Sequence, residues 1–355
     1  MRMFLVLLAV SSHVAAPLSA GRASPDIERP LAWMIAAQNV DGSWGETARS
    51  PTPDVATTAI AGLALVRLGH TGTRGEYQDN TRRAVRFVVE AAERTPENEI
   101  AINPPGTLPQ RKLGRNIDTF MAAQFLAEAL PTLPAGGLQA RARVALAACA
   151  RRIERAQTAD GSYAKDGWAP LLASAFANNG LYAAKGAGVK ISESTLQKGQ
   201  ENLVGKYDDK TKQFSTSDAA GVSLYSMAAS GLAAAQLEKE ASAQPSTPEA
   251  KRRKEHAIET RKAAAEQLSN DRVLRGFGSY GGEEHVSYML TAEAKAALGG
   301  AEWEQFSKEI RARLASIQRE DGTWRGDHCI TSTTFCTAAS LITLAVGRKA
   351  QGRAS

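Results

Sequence analysis

The chain has 355 residues, 43% of them hydrophobic and 23% charged, with a net charge of +6. That balance suits a folded chain with a large core and excludes a polar, disordered one. The basic residues are scattered along the sequence, so no nucleic-acid-binding footprint is expected.

The chain opens with a short basic start, Met1-Arg2-Met3, then the apolar run Phe4–Val10, and reaches Leu18-Ser19-Ala20. This is the pattern of a secretory signal peptide over residues 1–20, cleaved after Ala20, which predicts a secreted or periplasmic protein. The apolar run is too short to span a bilayer and no other stretch is long enough, so no transmembrane segment is expected.

From residue 21 onward two kinds of helical pattern alternate. Stretches such as Trp303, Phe306, Ile310, Leu314 and Ile317 put apolar residues on one stripe, with Glu304, Lys308 and Arg313 elsewhere, and predict outer, half-exposed helices. Stretches beginning near Asp54, Asn116, Trp168, Asp218, Glu284 and Thr331 are apolar nearly all round and rich in small residues, and predict helices buried on every side. Pairing them predicts hairpins near residues 25–70, 76–130, 137–186, 193–237, 256–298 and 301–346. Residues 21–355 then form one all-α domain, an inner ring of helices inside an outer one. The Ala/Ser/Pro/Glu-rich stretch near 238–255 reads as a polar surface insertion, and the loop Pro96–Leu113 is long enough to roof one end of a cavity.

One motif recurs three times: Gln38 with Asp41-Gly42-Ser43-Trp44, Gln157 with Asp160-Gly161-Ser162-Tyr163, and Gln318 with Asp321-Gly322-Thr323-Trp324. Glycine leaves a helix through the left-handed region, aspartate folds the turn and the aromatic ring packs back onto the helix just left. The glutamine amide is then placed to bridge backbone groups of neighbouring hairpins. These units resemble the QW-type repeats of the squalene-hopene cyclase and protein prenyltransferase β-subunit superfamily. The resemblance implies an α/α toroid whose central cavity holds an isoprenoid or other lipid-like ligand.

In such a ring the inner helices run in parallel, and their N-termini gather positive potential on one rim, where a site is expected. Asp54, Asp118 and Asp218 fall there and each suits a helix start as a cap or first-turn acid. Tyr280-Gly281-Gly282-Glu283-Glu284-His285 and Gly326-Asp327-His328-Cys329 open adjacent inner helices. Asp, His and Cys are zinc ligands. Asp327-His328-Cys329 resembles the Asp-x-Cys with which protein prenyltransferases hold zinc, which implies a metal site of Asp327, Cys329, His285 and His328 and a metal-assisted transfer. It departs from the family in that His285 precedes the Asp-x-Cys. The Asp-x-Asp-Asp acid of class II cyclases and the Cys-Gly-Glu-Gln thioester of complement-type toroids are both absent.

A second reading is an exported carbohydrate-active hydrolase or lyase on an α/α barrel. There Glu283, Glu284 and Asp118 would supply the paired carboxylates, and Trp44, Trp168 and Tyr280 the sugar-stacking faces.

Cysteine points to no scaffold of its own. Only Cys149, Cys329 and Cys336 occur, and the last two, two helical turns apart, would stand about 10 Å from each other. That is too far to bridge, so at most one disulfide, involving Cys149, is open to the chain.

Overall fold

The computed structural model describes residues 24–50, 52–163, 165–242, 247–297 and 299–351; the signal peptide expected over residues 1–20 lies outside them. The helices come in pairs. They are α1 (Glu28–Ala37) with α2 (Val55–Arg67), then α3 (Gln78–Arg94) and, after the short α4 (Leu108–Leu113), α5 (Ile117–Ala129). Next come α6 (Gly137–Ala156) with α7 (Pro170–Gly186) and α8 (Glu193–Val204) with α9 (Ser223–Ser242). Last are α10 (Pro248–Gln267), the short α11 (Asp271–Leu274), α12 (Gly282–Ala296), and α13 (Gly300–Ser316) with α14 (Thr333–Gln351). A two-stranded hairpin pairs Tyr207 with Phe214 before α9.

The second helix of each pair packs on the next such helix in the order α2, α5, α7, α9, α12, α14, and α14 packs back on α2. That closed cycle is an α/α toroid. Burial follows the sequence pattern: every residue of α2 but its last is buried, whereas α13 buries one stripe that includes Trp303, Phe306, Ile310 and Leu314. The small residues of the inner helices let backbones approach. A Cβ on Gly62 of α2 would stand 2.4 Å from the Phe125 ring of α5.

The repeated motif forms the turn its residues predict. Gly42, Gly161 and Gly322 take φ of +90°, +88° and +86°, the left-handed region that disfavours side chains. The aspartates accept from the amide two residues on, Asp41 from Ser43 (3.0 Å), Asp160 from Ser162 (3.0 Å) and Asp321 from Thr323 (2.9 Å). The indoles of Trp44 and Trp324 donate back to Met34 and Leu314, ten positions upstream (2.8 and 2.9 Å). Each glutamine amide donates both to its own turn and to the next outer helix or the chain just before it. Gln38 reaches Gly42 and Asn80, Gln157 reaches Gly161 and Thr195, and Gln318 reaches Gly322 and Asp26.

The 238–255 stretch is mostly helical. α9 continues to Ser242 and α10 already starts at Pro248, capped by the Thr247 side chain. The basic run Lys251–Lys254 is therefore part of the outer helix. No helix among the described residues is long and apolar enough to cross a membrane. All three cysteines are free.

Candidate functional site at the N-terminal rim

Asp54 and Asp118 stand at the starts of α2 and α5. Asp54 is the N-cap of α2; its carboxylate accepts from the Ala56 amide (3.0 Å) and the Thr57 hydroxyl (2.6 Å). It is buried, and desolvation pushes its pKa up to about 6 in spite of those bonds. Asp118 lies in the first turn of α5, fully buried; neither carboxylate oxygen makes a hydrogen bond of full geometry, although the amides of Asp118 itself and of Asn103 lie close enough to lower its pKa. Burial pushes it up to about 7; nearby Arg115 opposes the shift and Asp54 adds to it. Among the expected caps only Asp218 is misplaced. It lies five positions ahead of α9, exposed, and pairs with Lys206 at 2.6 Å.

Beside this pair runs a groove of about 830 Å³ between the first two hairpins. The loop 96–113 forms one wall of it, as its length suggested, although the groove lies between hairpins and not at the centre of the ring. Phe87, Ala91, Ile102 and Pro104 give the groove apolar wall, Asp54 lies on that wall, and Arg94 and Arg115 line it too.

The other expected cluster, at α12 and α14, resolves into separate roles. Glu284 is a structural acid: its carboxylate accepts from the amides of Gly281 (2.8 Å) and Phe277 (3.1 Å) and from the Tyr225 hydroxyl. Glu283 is equally buried, but only one oxygen is used, accepting from Ile330 N–H at 3.3 Å. Burial raises it to about 7. His285 points away from both, toward Ser340 of α14 (Nδ1 to Oγ, 2.9 Å), and burial lowers its pKa to about 3, so it stays neutral.

His328 Nε2 lies 3.1 Å from the Ser279 carbonyl and 3.6 Å from Glu284. Asp327 is exposed and accepts from the Tyr280 amide at 3.4 Å. Cys329 is half-buried in the left-handed region at φ +52°, its thiol raised by burial and by the carboxyl of Glu283. The expected zinc set of Asp327, Cys329, His285 and His328 is therefore not assembled. Each side chain is turned to a different neighbour, and no group of three or more His, Cys, Asp or Glu among the described residues could hold a metal.

The carboxylates expected for hydrolysis each have another acid as neighbour. Asp118 lies near Asp54, and Glu283 beside Glu284. Trp44 is core, not a sugar platform, and the Tyr280 hydroxyl accepts from Arg313 (3.1 Å). Trp168 fits the expectation better. It is 43% exposed, packs edge-on against Phe277 (58% exposed) from another hairpin at 6.4 Å, and has the Lys112 ammonium 6.0 Å above it.

What sequence reasoning missed was the pairing of Asp54 with Asp118. The two lie in different hairpins, 64 positions apart in sequence, and only the packing of consecutive inner helices, α2 on α5, brings their starts side by side. The available signal was that each acid opens an all-apolar helix.

No protein-family model matches the chain, and no curated protein matches it. Among solved structures it is similar to the type II terpene cyclase MstE from Scytonema. One match is a single-residue variant of that cyclase in complex with its substrate geranylgeranyl dihydroxybenzoate, at 14% identity, covering 92% of this chain and 96% of that one, with a TM-score of 0.38. The apo form matches at 14% identity, covering 92% and 97%, with a TM-score of 0.36. Likeness at that level carries no argument about the site.

Proposed function

We propose that this toroid is an exported binding protein for an isoprenoid-like ligand, held in the groove between the first two hairpins with its polar end at the Asp54–Asp118 pair. The observation that carries this reading is Asp118, a buried carboxyl that no side chain hydrogen-bonds, close to the Asn103 and Arg115 that line a groove of mixed apolar and charged wall. Leaving such a group unpaired costs about 1–3 kcal/mol, which a ligand oxygen would recover. A carboxyl still protonated near neutrality donates a hydrogen bond to an alcohol, ether or carbonyl oxygen, and Phe87, Ala91 and Ile102 would take the hydrocarbon. The ligand class comes from the resemblance of the repeats, and the extracellular location from the leader.

Native mass spectrometry of the full chain with geranylgeraniol tests it. The expected result is a one-to-one adduct in the parent, lost in Ala91→Phe, which fills the groove, while that variant melts cooperatively. Failure of the parent to bind, or unchanged binding in a folded Ala91→Phe, would refute it.

A further inference from the structure

The opposite mouth of the ring carries a second constellation. Arg67, at the end of α2, is held by the Glu128 carboxylate of α5 (Nε, 3.0 Å; Nη2, 2.5 Å) and by Glu293 of α12 (Nη1, 2.6 Å). Glu293 also accepts from Asn179 of α7 (3.2 Å), whose own oxygen accepts from Gln236 of α9 (2.7 Å). Arg67 to Glu293 and Asn179 to Glu293 both join helices that are not neighbours in the ring, so this network crosses the lumen. Burying such charges is no cheaper than an apolar plug of the same volume, so closing the ring does not by itself explain them.

The network forms one side of a cavity of about 490 Å³, within the size range of small-ligand sites. Its rim carries exposed Arg143, and Tyr182, Leu130, Pro131 and Ala187 form an apolar side. Two guanidinium groups, Arg67 and Arg143, face two carboxylates, Glu128 and Glu293, so the lining charge balances and favours a neutral ligand. The carboxylates, paired with Arg67, only accept hydrogen bonds, and the guanidinium groups only donate. A molecule that answers both within a few ångströms has adjacent hydroxyls, one donating to a carboxylate and the next accepting from a guanidinium, with a C–H face for the apolar side.

We propose that this C-terminal mouth is a binding site for a neutral polyhydroxylated molecule of the sugar or cyclitol class, separate from the groove at the other rim. Isothermal titration of the full chain with methyl glucoside, trehalose and myo-inositol tests it, with glycine betaine as a zwitterionic control. The expected result is saturable one-to-one binding of at least one polyol. Arg143→Ala and Tyr182→Ala, at the rim and apolar side, should weaken it by about fivefold or more, the scale of one lost hydrogen bond to a charged group or one lost aromatic face; exposed Arg143→Ala should leave the melting temperature unchanged, and Tyr182→Ala, which also packs on the core, should lower it while keeping a cooperative melt. The proposal is overturned by the absence of saturable binding for all three polyols, by binding of betaine in their place, or by parent-like affinity in both variants. Because Ala91→Phe leaves this mouth untouched, it should still bind the polyol, so failure at one rim is distinguishable from failure at the other.

Discussion

Gln318 and Asp26, 292 positions apart, exchange two hydrogen bonds: the Asp26 amide donates to Oε1 at 2.9 Å and Nε2 donates to the Asp26 carbonyl at 2.7 Å. This joins the end of α13 to the chain just before α1 and closes the outer ring. On the inner ring the Glu46 carbonyl accepts from the Ser332 hydroxyl at 3.0 Å, just ahead of α14. Gln318→Ala should therefore cost about 1–3 kcal/mol, since it removes these two hydrogen bonds and the one to the Gly322 carbonyl, partly replaced by water. Urea unfolding should stay a single transition, and amide exchange should speed up in α1 and α13 together.

Removing residues 301–355 should unfold the chain as a whole, because it strips both α2 and α12 of their α14 neighbour. A truncated chain with a sharp, cooperative melt would show that the seam contributes little and that the ring behaves as an open solenoid.

The three turn glycines rank by what surrounds them. An added Cβ would lie 2.5 Å from the Arg83 backbone at Gly42 and 2.5 Å from the Lys198 carbonyl at Gly161, but 2.9 Å from the Arg29 Cβ, a side-chain atom, at Gly322. All three carry positive φ, so each Gly→Ala should destabilise by about 1 kcal/mol or more from the backbone alone. Gly42→Ala and Gly161→Ala should cost more than Gly322→Ala, since backbone yields less than a side chain. Thermal melts of the three variants check the order.

The ring was legible in the sequence because its causes are local. The alternation of amphipathic and all-apolar segments and the Gln, Asp and Gly of each turn act within a few residues of one another. The hydroxyls that complete each turn were not legible: Thr58, Ser174 and Thr337 accept from the amides of Trp44, Tyr163 and Trp324, 14, 11 and 13 positions upstream. At such variable spacing no pattern marks them. The expected zinc ligands stand apart for a related reason. Asp327, His328 and Cys329 are adjacent in sequence, yet Cys329 turns left-handed and His285 faces Ser340, so residue type at a shared level did not fix direction. EDTA should accordingly leave the melting temperature of the full chain unchanged.

Asp118 makes stability depend on pH with a definite sign. Its folded pKa of about 7 lies above the ordinary 3.8, so the folded state holds the proton more tightly. Its contribution is complete below about pH 4 and is lost as pH rises through 7, at a slope approaching 1.4 kcal/mol per unit. Asp118→Asn has no such proton, so the parent should lose stability relative to that variant between pH 4 and 7. Parallel curves would place Asp118 in a solvated setting.

The most direct test of the proposed site is to follow the Asp118 carboxyl by carbon-13 NMR in the full chain across pH, with and without geranylgeraniol. A midpoint near 7 in the free protein is expected, moving higher with ligand, since a hydrogen bond donated by the neutral acid favours the protonated form. A midpoint near 4 that the ligand leaves unmoved would contradict the account.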